Sequence, residues 1–124
     1  MIDKHKLLIV DDDEAVIDYL QAELGDRYDI VSTNAPENVL ALARRHHPAL
    51  ILCDVDMPGM DGGDVSAALY AEDDTREIPL LFLTGLASQG DLKRQQHQLG
   101  GRPAISKSAP VEELLARIES LIKP

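Results

Sequence analysis

The stretch LLIVDDDEAV, residues 7–16, runs four apolar residues directly into three aspartates and a glutamate. An apolar run of this length is typical of a parallel strand that is covered on both faces. Carboxylates packed at the end of such a strand repel one another unless a positive charge compensates them. The stretch therefore predicts a buried strand that leads into a site for a cation.

Four more apolar runs occur along the chain, and segments with a helical spacing of apolar residues separate them. Together with the first run they are KLLIV (6–10), YDIVS (28–32), ALILCD (49–54), PLLFLTG (79–85) and PAIS (103–106). The helical segments are 14–24, 36–46, 64–71, 89–98 and 111–122. Strands that alternate with helices favour right-handed crossovers and a parallel sheet. We therefore predict an α/β fold of the (βα)5 type, with a doubly wound five-stranded parallel sheet.

The amino-acid composition argues against some classes of binding partner and indicates a cellular compartment. The 124 residues carry 22 acidic and 12 basic side chains, a net charge of −10, which argues against direct binding to nucleic acid or to an anionic membrane. No apolar run approaches the roughly 18 residues of a membrane span, and no signal peptide opens the chain. Cys53 is the single cysteine and lies in an apolar run, so we expect a core residue and a cytoplasmic protein. We expect one domain over residues 1–124.

Polar side chains follow the strands at the edge of the predicted sheet where a functional crevice is expected. In an open parallel sheet this crevice lies outside the carboxyl ends of the strands, at the point where the strand order reverses. Asp11, Asp12 and Asp13 follow the first strand, and Asp13 is expected to cap the next helix. The later strands end in Asp54, in Thr84 with Gly85, and in Ser106 with Lys107. Because all these polar side chains are expected at one edge of the sheet, we predict a functional site there.

The acids at the strand ends suit one chemistry in particular. Hard carboxylate oxygens suit Mg²⁺, which keeps several waters and takes one or two carboxylates together with phosphate oxygens. An aspartate beside phosphoryl oxygens held in this way can act as the nucleophile and form an acyl phosphate. A lysine and a threonine hydroxyl would hold the remaining oxygens and the developing charge.

Four stretches resemble the receiver domains of two-component response regulators, and together they extend over essentially the whole chain. They are LLIVDDDEAV (7–16), LILCDVDMPGMDGGDV (50–65), LLFLTGLA (80–87) and AISK (104–107). The resemblance implies a flavodoxin-like sheet with strand order 2-1-3-4-5. It also implies a phosphorelay signalling module that takes a phosphoryl group from a histidine kinase or a histidine phosphotransfer protein and then changes its binding to a downstream effector domain or protein.

The resemblance also implies roles for individual residues. Asp54 is similar to the family's phosphoacceptor, and Asp11 and Asp12 are similar to the acid pair that binds Mg²⁺. The metal set is completed by Asp54 itself and by the main-chain carbonyl of Asp56. Thr84 and Lys107 match the hydroxyl and the lysine that contact the phosphoryl group. Such a domain catalyses its own phosphorylation and dephosphorylation but is not an enzyme with a separate substrate.

The sequence departs from the family pattern at two positions near the lysine. The family usually carries an aromatic residue three positions before the lysine, where this chain has Ala104, and a proline after it, where this chain has Ser108. The family proline often follows a cis peptide bond, and a cis bond before a serine would cost about 3–4 kcal/mol. We expect the phosphorylation chemistry to be retained and the relay from Thr84 to the last strand to be altered.

Two other functions fit parts of the pattern. A degenerate receiver that no longer switches would serve as a constitutive docking module, which the two departures favour and the intact acids oppose. A phosphatase of the haloacid dehalogenase type would use the D-x-D formed by Asp54 and Asp56. That motif usually lies on the first strand, however, and here the second acid pair lies upstream of it.

Overall fold

The computed structural model describes residues 4–85, 98–99 and 102–122, and its strands form one sheet. The strands are β1 (Lys6–Val10), β2 (Asp29–Thr33), β3 (Leu50–Asp54), β4 (Leu80–Thr84), β5 (Gln98–Leu99) and β6 (Arg102–Ser106). The helices are α1 (Glu14–Leu24), α2 (Val39–His46), α3 (Gly62–Tyr70) and α4 (Val111–Leu121), and a 3₁₀ turn at Pro36–Asn38 leads into α2. The sheet order is β2-β1-β3-β4-β6-β5.

The predicted order of the five parallel strands is confirmed. Parallel pairing joins β1 to β2 and β3, β3 to β4, and β4 to β6, which is the order 2-1-3-4-5 when the parallel strands are counted alone. The two-residue strand β5 is an addition that the sequence did not predict, and it pairs antiparallel with β6. The predicted helix 89–98 lies outside the described residues except for Gln98, which belongs to β5 because it pairs with Pro103.

Both faces of the sheet are buried, which explains why its central strands are apolar throughout. Successive side chains of a strand point to opposite faces. On one face Leu7, Ile9, Leu50, Leu52, Leu81, Leu83 and Ile105 pack with residues of α1 and α4. On the other face Leu8, Val10, Ile51, Cys53, Leu80, Phe82 and Ala104 pack with residues of α2 and α3. Each leucine or isoleucine buried in this way contributes about 1.5–3 kcal/mol.

Helix α1 faces the sheet through a slightly different stripe from the one that the sequence suggests. The stripe expected from the sequence consists of Val16, Tyr19, Leu20, Glu23 and Leu24. The structure buries Leu20 and Leu24 and packs Val16 against the core, but it also buries Ile17, and Tyr19 is 51% exposed. The buried residues are spaced i, i+3 and i+7, so they share one face of the helix. No helix in the described parts of the chain is long and apolar enough to cross a bilayer.

The loop from β3 to α3 is held by a glycine and a capping box. Asp61 caps α3 by accepting a hydrogen bond from the Asp64 N–H at 2.9 Å, while the Asp64 carboxylate accepts one from the Asp61 N–H at 3.1 Å. This box starts α3 at Gly62, two residues before the predicted start at residue 64. Gly59, with φ +82°, makes the turn before it.

Gly62 is the position at which this loop leaves no room for a side chain. A Cβ at Gly62 would lie 2.8 Å from the Asp54 carbonyl oxygen and 2.9 Å from both Phe82 Cε1 and Val55 Cα. Two of these three atoms belong to the main chain and cannot turn aside. The contact fixes the distance between the start of α3 and the end of β3.

We expect Gly62→Ala to lower the free energy of unfolding by about 1–3 kcal/mol, because the added methyl group overpacks the loop against β3. Gly63→Ala is the matched control, since the nearest atom to its Cβ is 3.3 Å away and belongs to the Asp61 side chain. We expect the control to change the stability by less than about 1 kcal/mol. Urea denaturation of both variants is the measurement. Equal losses in the two variants would contradict the close approach at Gly62.

Candidate functional site

Two buried aspartates lie at the point where the strand order reverses. The chain passes from β1 outwards to β2 and then returns to β3 on the other side of β1, so the switch point lies between β1 and β3. Asp11 follows β1 and is fully buried, and Asp54 ends β3 and is 4% exposed. Buried carboxylates are rare unless a partner compensates their charge.

Lys107 supplies that compensation from the end of β6. Its Nζ lies 2.9 Å from Asp11 Oδ2 and 3.2 Å from Asp54 Oδ1. The Lys107 main chain is fixed as well, because its N–H donates to the Thr84 carbonyl oxygen at 2.9 Å. One ammonium group therefore bridges the two buried acids.

The charges of this cluster change the proton affinities of its members. Burial, followed by the charge of Asp11, raises the pKa of Asp54 to about 6, although Lys107 acts in the opposite direction. Burial alone would lower the pKa of Lys107, but contact with Asp11 and the charges of both acids outweigh it and raise that pKa. A single ammonium group is thus too little positive charge for two carboxylates.

A third carboxylate completes an acidic cluster. One oxygen from each of Asp11, Asp12 and Asp54 lies within 4.8 Å of the others, and Asp12 is exposed where the other two are buried. Asp11 Oδ1 accepts a hydrogen bond from the Asp13 N–H at 2.9 Å. Its Oδ2 is buried and, among the described residues, has the Lys107 ion pair but no hydrogen bond of regular geometry. Three hard oxygens with one incompletely satisfied acceptor fit Mg²⁺.

The remaining predicted site residues lie around the cluster. The main-chain N–H of Asp56 donates to Asp54 Oδ1 at 3.4 Å, and the exposed Asp56 carboxylate is not a member of the cluster of three acids. Thr84 is 2% exposed at the end of β4, in register with Ser106 of β6. Asp13 caps α1 as predicted, since it accepts from the Ala15 N–H at 2.9 Å.

The sequence of this chain is similar to those of known proteins. The family model for the response regulator receiver domain matches residues 7–119. PleD of Caulobacter vibrioides is 39% identical over 120 residues, which are 95% of this chain and 26% of PleD. DivK of Brucella ovis is 32% identical over 117 residues, which are 94% of each protein.

This chain belongs to the response regulator receiver domain family. The receiver domain of a sensor histidine kinase from Pseudomonas aeruginosa, whose structure has a magnesium ion coordinated in the active-site cleft, shares the fold with a TM-score of 0.81 and 23% identity, over 97% of this chain and 98% of that one. Receiver domains act in two-component signalling with kinases and effectors. The chain spans about a quarter of the length of PleD.

The structure of this receiver domain bears on the two departures from the family pattern. Ala104 is fully buried and lies opposite Phe82 in the sheet, in the core on the α2 and α3 side. No described peptide bond is cis, so Ser108 follows Lys107 through a trans bond. The D-x-D pair begins at the end of β3 rather than on the first strand, which does not fit a phosphatase of the haloacid dehalogenase type.

Cys53 is a core residue, as the sequence predicts. It is fully buried, and its Sγ donates to the Asp54 carbonyl oxygen at 3.3 Å. Burial, followed by the charges of Asp54, Asp11 and Asp61, raises the pKa of the thiol to about 12. A thiol that stays protonated is a poor nucleophile and a poor metal ligand.

The raised pKa of Asp54 predicts a dependence of metal-free stability on pH. Its folded-state pKa of about 6 lies above the unfolded value of about 3.9, so the folded chain binds this proton more tightly than the unfolded chain. Metal-free stability should therefore rise as the pH falls from 8 through 6, and the gain should be complete below about pH 4.

Asp54→Asn is the control for this prediction, because it removes the Asp54 carboxyl group and keeps every other acidic side chain of the parent. We expect the variant to be more stable than the parent at pH 8 in EDTA, and the difference to shrink as the pH falls to 5. Thermal melts at a series of pH values measure it. A difference that stays constant between pH 8 and pH 5 would show that the pKa of Asp54 is not raised.

Proposed function

We propose that Asp54 of this receiver domain accepts a phosphoryl group from a phosphohistidine of a histidine kinase or of a histidine phosphotransfer protein. The observation that supports this most strongly is the Lys107 ammonium group, which lies within 3.2 Å of the buried Asp11 and Asp54 carboxylates at the edge of a three-acid cluster. A buried carboxylate beside a fixed cation and further acids has the parts needed for phosphoryl transfer.

Asp54 acts as the nucleophile in this proposal. One of its carboxylate oxygens attacks phosphorus, the bond from phosphorus to the donor imidazole nitrogen breaks, and the electron pair of that bond stays on the nitrogen. The Lys107 ammonium group, which pairs with Asp54 before transfer, then pairs with a phosphoryl oxygen. Thr84 lies at the same edge of the sheet, where its hydroxyl is proposed to hold a second phosphoryl oxygen. Water later attacks phosphorus, releases phosphate and restores the carboxylate.

Four groups are proposed to hold Mg²⁺ at this site. They are the carboxylates of Asp11, Asp12 and Asp54 and the main-chain carbonyl of Asp56. Bound Mg²⁺ supplies positive charge for the phosphoryl oxygens and for acids that a single lysine cannot neutralise. Asp11 is already oriented for this role, since the Asp13 N–H fixes one of its oxygens.

The whole chain, residues 1–124, is proposed to form one cytoplasmic receiver domain. Phosphorylation changes its affinity for a downstream effector domain or protein, and the domain turns over no separate metabolite. Direct binding to nucleic acid or to a membrane is not part of the proposal, because the net charge of −10 repels both polyanions.

We expect Asp54→Asn to abolish phosphorylation without unfolding the domain. Incubation of the parent with acetyl phosphate and Mg²⁺ should add about 80 Da, the mass of a phosphoryl group on an acyl oxygen, and the adduct should persist for minutes. The variant should show no adduct because an amide is not a nucleophile, and intact mass measures both proteins.

Asp56→Asn is the matched control for this experiment. The Asp56 side chain is exposed and outside the acid cluster, while its main-chain carbonyl is unchanged by the substitution, so we expect the adduct to form. An adduct that persists in Asp54→Asn, mapped to another aspartate, would overturn the assignment. Failure of the folded parent to gain mass would favour the constitutive docking module.

The metal site leads to a prediction about Asp12. Two unit charges about 5 Å apart repel by roughly 3 kcal/mol at an effective dielectric of 20, before salt screening reduces the repulsion. Asp12→Ala should therefore melt higher than the parent in EDTA. The parent should gain about 1.4 kcal/mol from Mg²⁺ at ten times its Kd, and the variant should lose most of that gain.

Thermal melts of both proteins in EDTA and in Mg²⁺ are the measurement. Asp18→Ala, on the first helix and outside the acid cluster, is the control for removal of an acidic side chain, and it should keep the full Mg²⁺-induced gain. A variant of Asp12 that melts lower in EDTA and gains fully from Mg²⁺ would place the metal site elsewhere.

A further inference from the structure

The main chain that follows Lys107 is held by hydrogen bonds to one residue, Ser106. The Ser106 carbonyl oxygen accepts from the Ala109 N–H at 3.0 Å, which closes a turn across residues 106–109. The Ser106 hydroxyl oxygen accepts from the Ser108 N–H at 3.1 Å. The two hydroxyl groups of Ser106 and Ser108 also lie 2.8 Å apart, in hydrogen-bonding contact. We call this set of contacts the serine clamp.

The serine clamp holds the segment that carries Lys107 together with a main-chain hydrogen bond to the neighbouring strand β4. Lys107 lies at the first corner of the turn, and its N–H is taken by the Thr84 carbonyl oxygen at 2.9 Å. The next N–H along the chain, that of Ser108, donates to the Ser106 hydroxyl oxygen. Ser106 itself is 5% exposed and paired with Thr84 in the sheet. Both peptide groups that flank the Lys107 Cα are thus tied to the rigid sheet.

The clamp also occupies the position at which this chain departs from its family. A proline at position 108 would have no N–H to donate, and its ring would fix the turn by itself. Ser108 has that N–H, follows a trans peptide bond, and lacks the ring. The hydrogen bonds to Ser106 hold the turn at this position, where the family has a proline ring.

We propose that Ser106 and Ser108 are positioning residues for phosphoryl transfer, which hold the Lys107 main chain so that its ammonium group reaches both Asp11 and Asp54. The inference rests on the proposed function of Asp54. Lysine has a flexible four-carbon stem, so a loosely held Cα would spread Nζ over a range of positions. Small displacements of a group that must meet a transition state reduce the rate steeply.

Neither serine is assigned direct contact with the phosphoryl group. The Ser106 hydroxyl is engaged by the Ser108 N–H and the Ser108 hydroxyl. The only ammonium group that the structure places within 4.0 Å of Asp11 and Asp54, among the described residues, is that of Lys107. We therefore infer that an effect of either serine on the reaction passes through Lys107, and the cycle below tests this against a route through the neighbouring Thr84.

A double-mutant cycle tests this dependence on the 124-residue chain. The initial rate of phosphorylation by acetyl phosphate and Mg²⁺ is measured by intact mass for the parent, Ser106→Ala, Ser108→Ala, Lys107→Met, and each serine variant combined with Lys107→Met. We expect each serine variant to slow the reaction about three- to tenfold, the factor that one hydrogen bond of about 1 kcal/mol supplies. In the Lys107→Met background we expect less than about a twofold effect.

Two further variants separate positioning from a general loss of stability. Ser106→Thr keeps the hydroxyl at a position that lines a cavity of about 200 Å³, so we expect it to retain the parent rate. Ser120→Ala removes a hydroxyl that donates to the Arg117 carbonyl oxygen at 2.7 Å within the last helix, and it should leave the rate unchanged. Lys107→Gln, which also removes the positive charge, serves as a second background if Lys107→Met does not fold.

The outcomes distinguish this inference from the proposed function. A parent that gains no mass contradicts the proposed function. A phosphorylated parent whose serine variants lose as much rate without Lys107 as with it contradicts the serine clamp alone. Unchanged rates in Ser106→Ala and Ser108→Ala contradict it as well. If all Lys107 variants react too slowly to measure, the same double-mutant cycle can be measured as the rise in melting temperature on adding beryllofluoride and Mg²⁺. The effect of each serine variant on that rise should again shrink when Lys107 is replaced.

Discussion

The ion pairs that Lys107 makes with Asp11 and Asp54 are the interaction on which the rest of the site depends. At about 3 Å and an effective dielectric of 20, each pair is attractive by roughly 5 kcal/mol, and burial of the charges offsets much of this. Burial, followed by the charge of Asp11, raises the pKa of Asp54 to about 6 even with Lys107 in contact, and one ammonium group cannot neutralise two carboxylates. The site keeps an excess of negative charge, and that excess is what a divalent cation stabilises.

The fold brings this interaction together from three distant parts of the sequence. Asp11, Asp54 and Lys107 follow or end strands β1, β3 and β6, whose carboxyl ends lie at one edge of a parallel sheet. Short local contacts then set the positions of the side chains. The Asp13 N–H orients Asp11, and the close approach at Gly62 fixes the loop after Asp54. The core supplies rigidity, but these few polar and steric contacts determine where the charges lie.

Much of this could be predicted from the sequence, because its signals are local. Apolar runs buried on both faces predict central strands, and polar residues at their ends predict the edge that carries the site. The difference between Asp11 and Asp12 could not be predicted, since the two are adjacent and chemically identical, yet one is fully buried and the other exposed. Only the pairing with Lys107, 96 residues away from Asp11 (107 minus 11), decides between them. Gly62 and Gly63 differ for the same reason, because only the three-dimensional contact of Gly62 with β3 excludes a side chain there.

The replacement of an aromatic residue by Ala104 limits the ways in which a change at the site could reach the surface. Ala104 has no side-chain torsion to rotate, and it is fully buried opposite Phe82. Phe82 in turn lies where it would be 2.9 Å from a Cβ at Gly62, so its ring is confined by the loop that follows Asp54. A rearrangement at the acids therefore has its most direct mechanical connection to α3, through Asp54, that loop and Gly62. The last strand is connected to the site through its pairing with Thr84 and through Lys107, whose main chain the serine clamp holds in place.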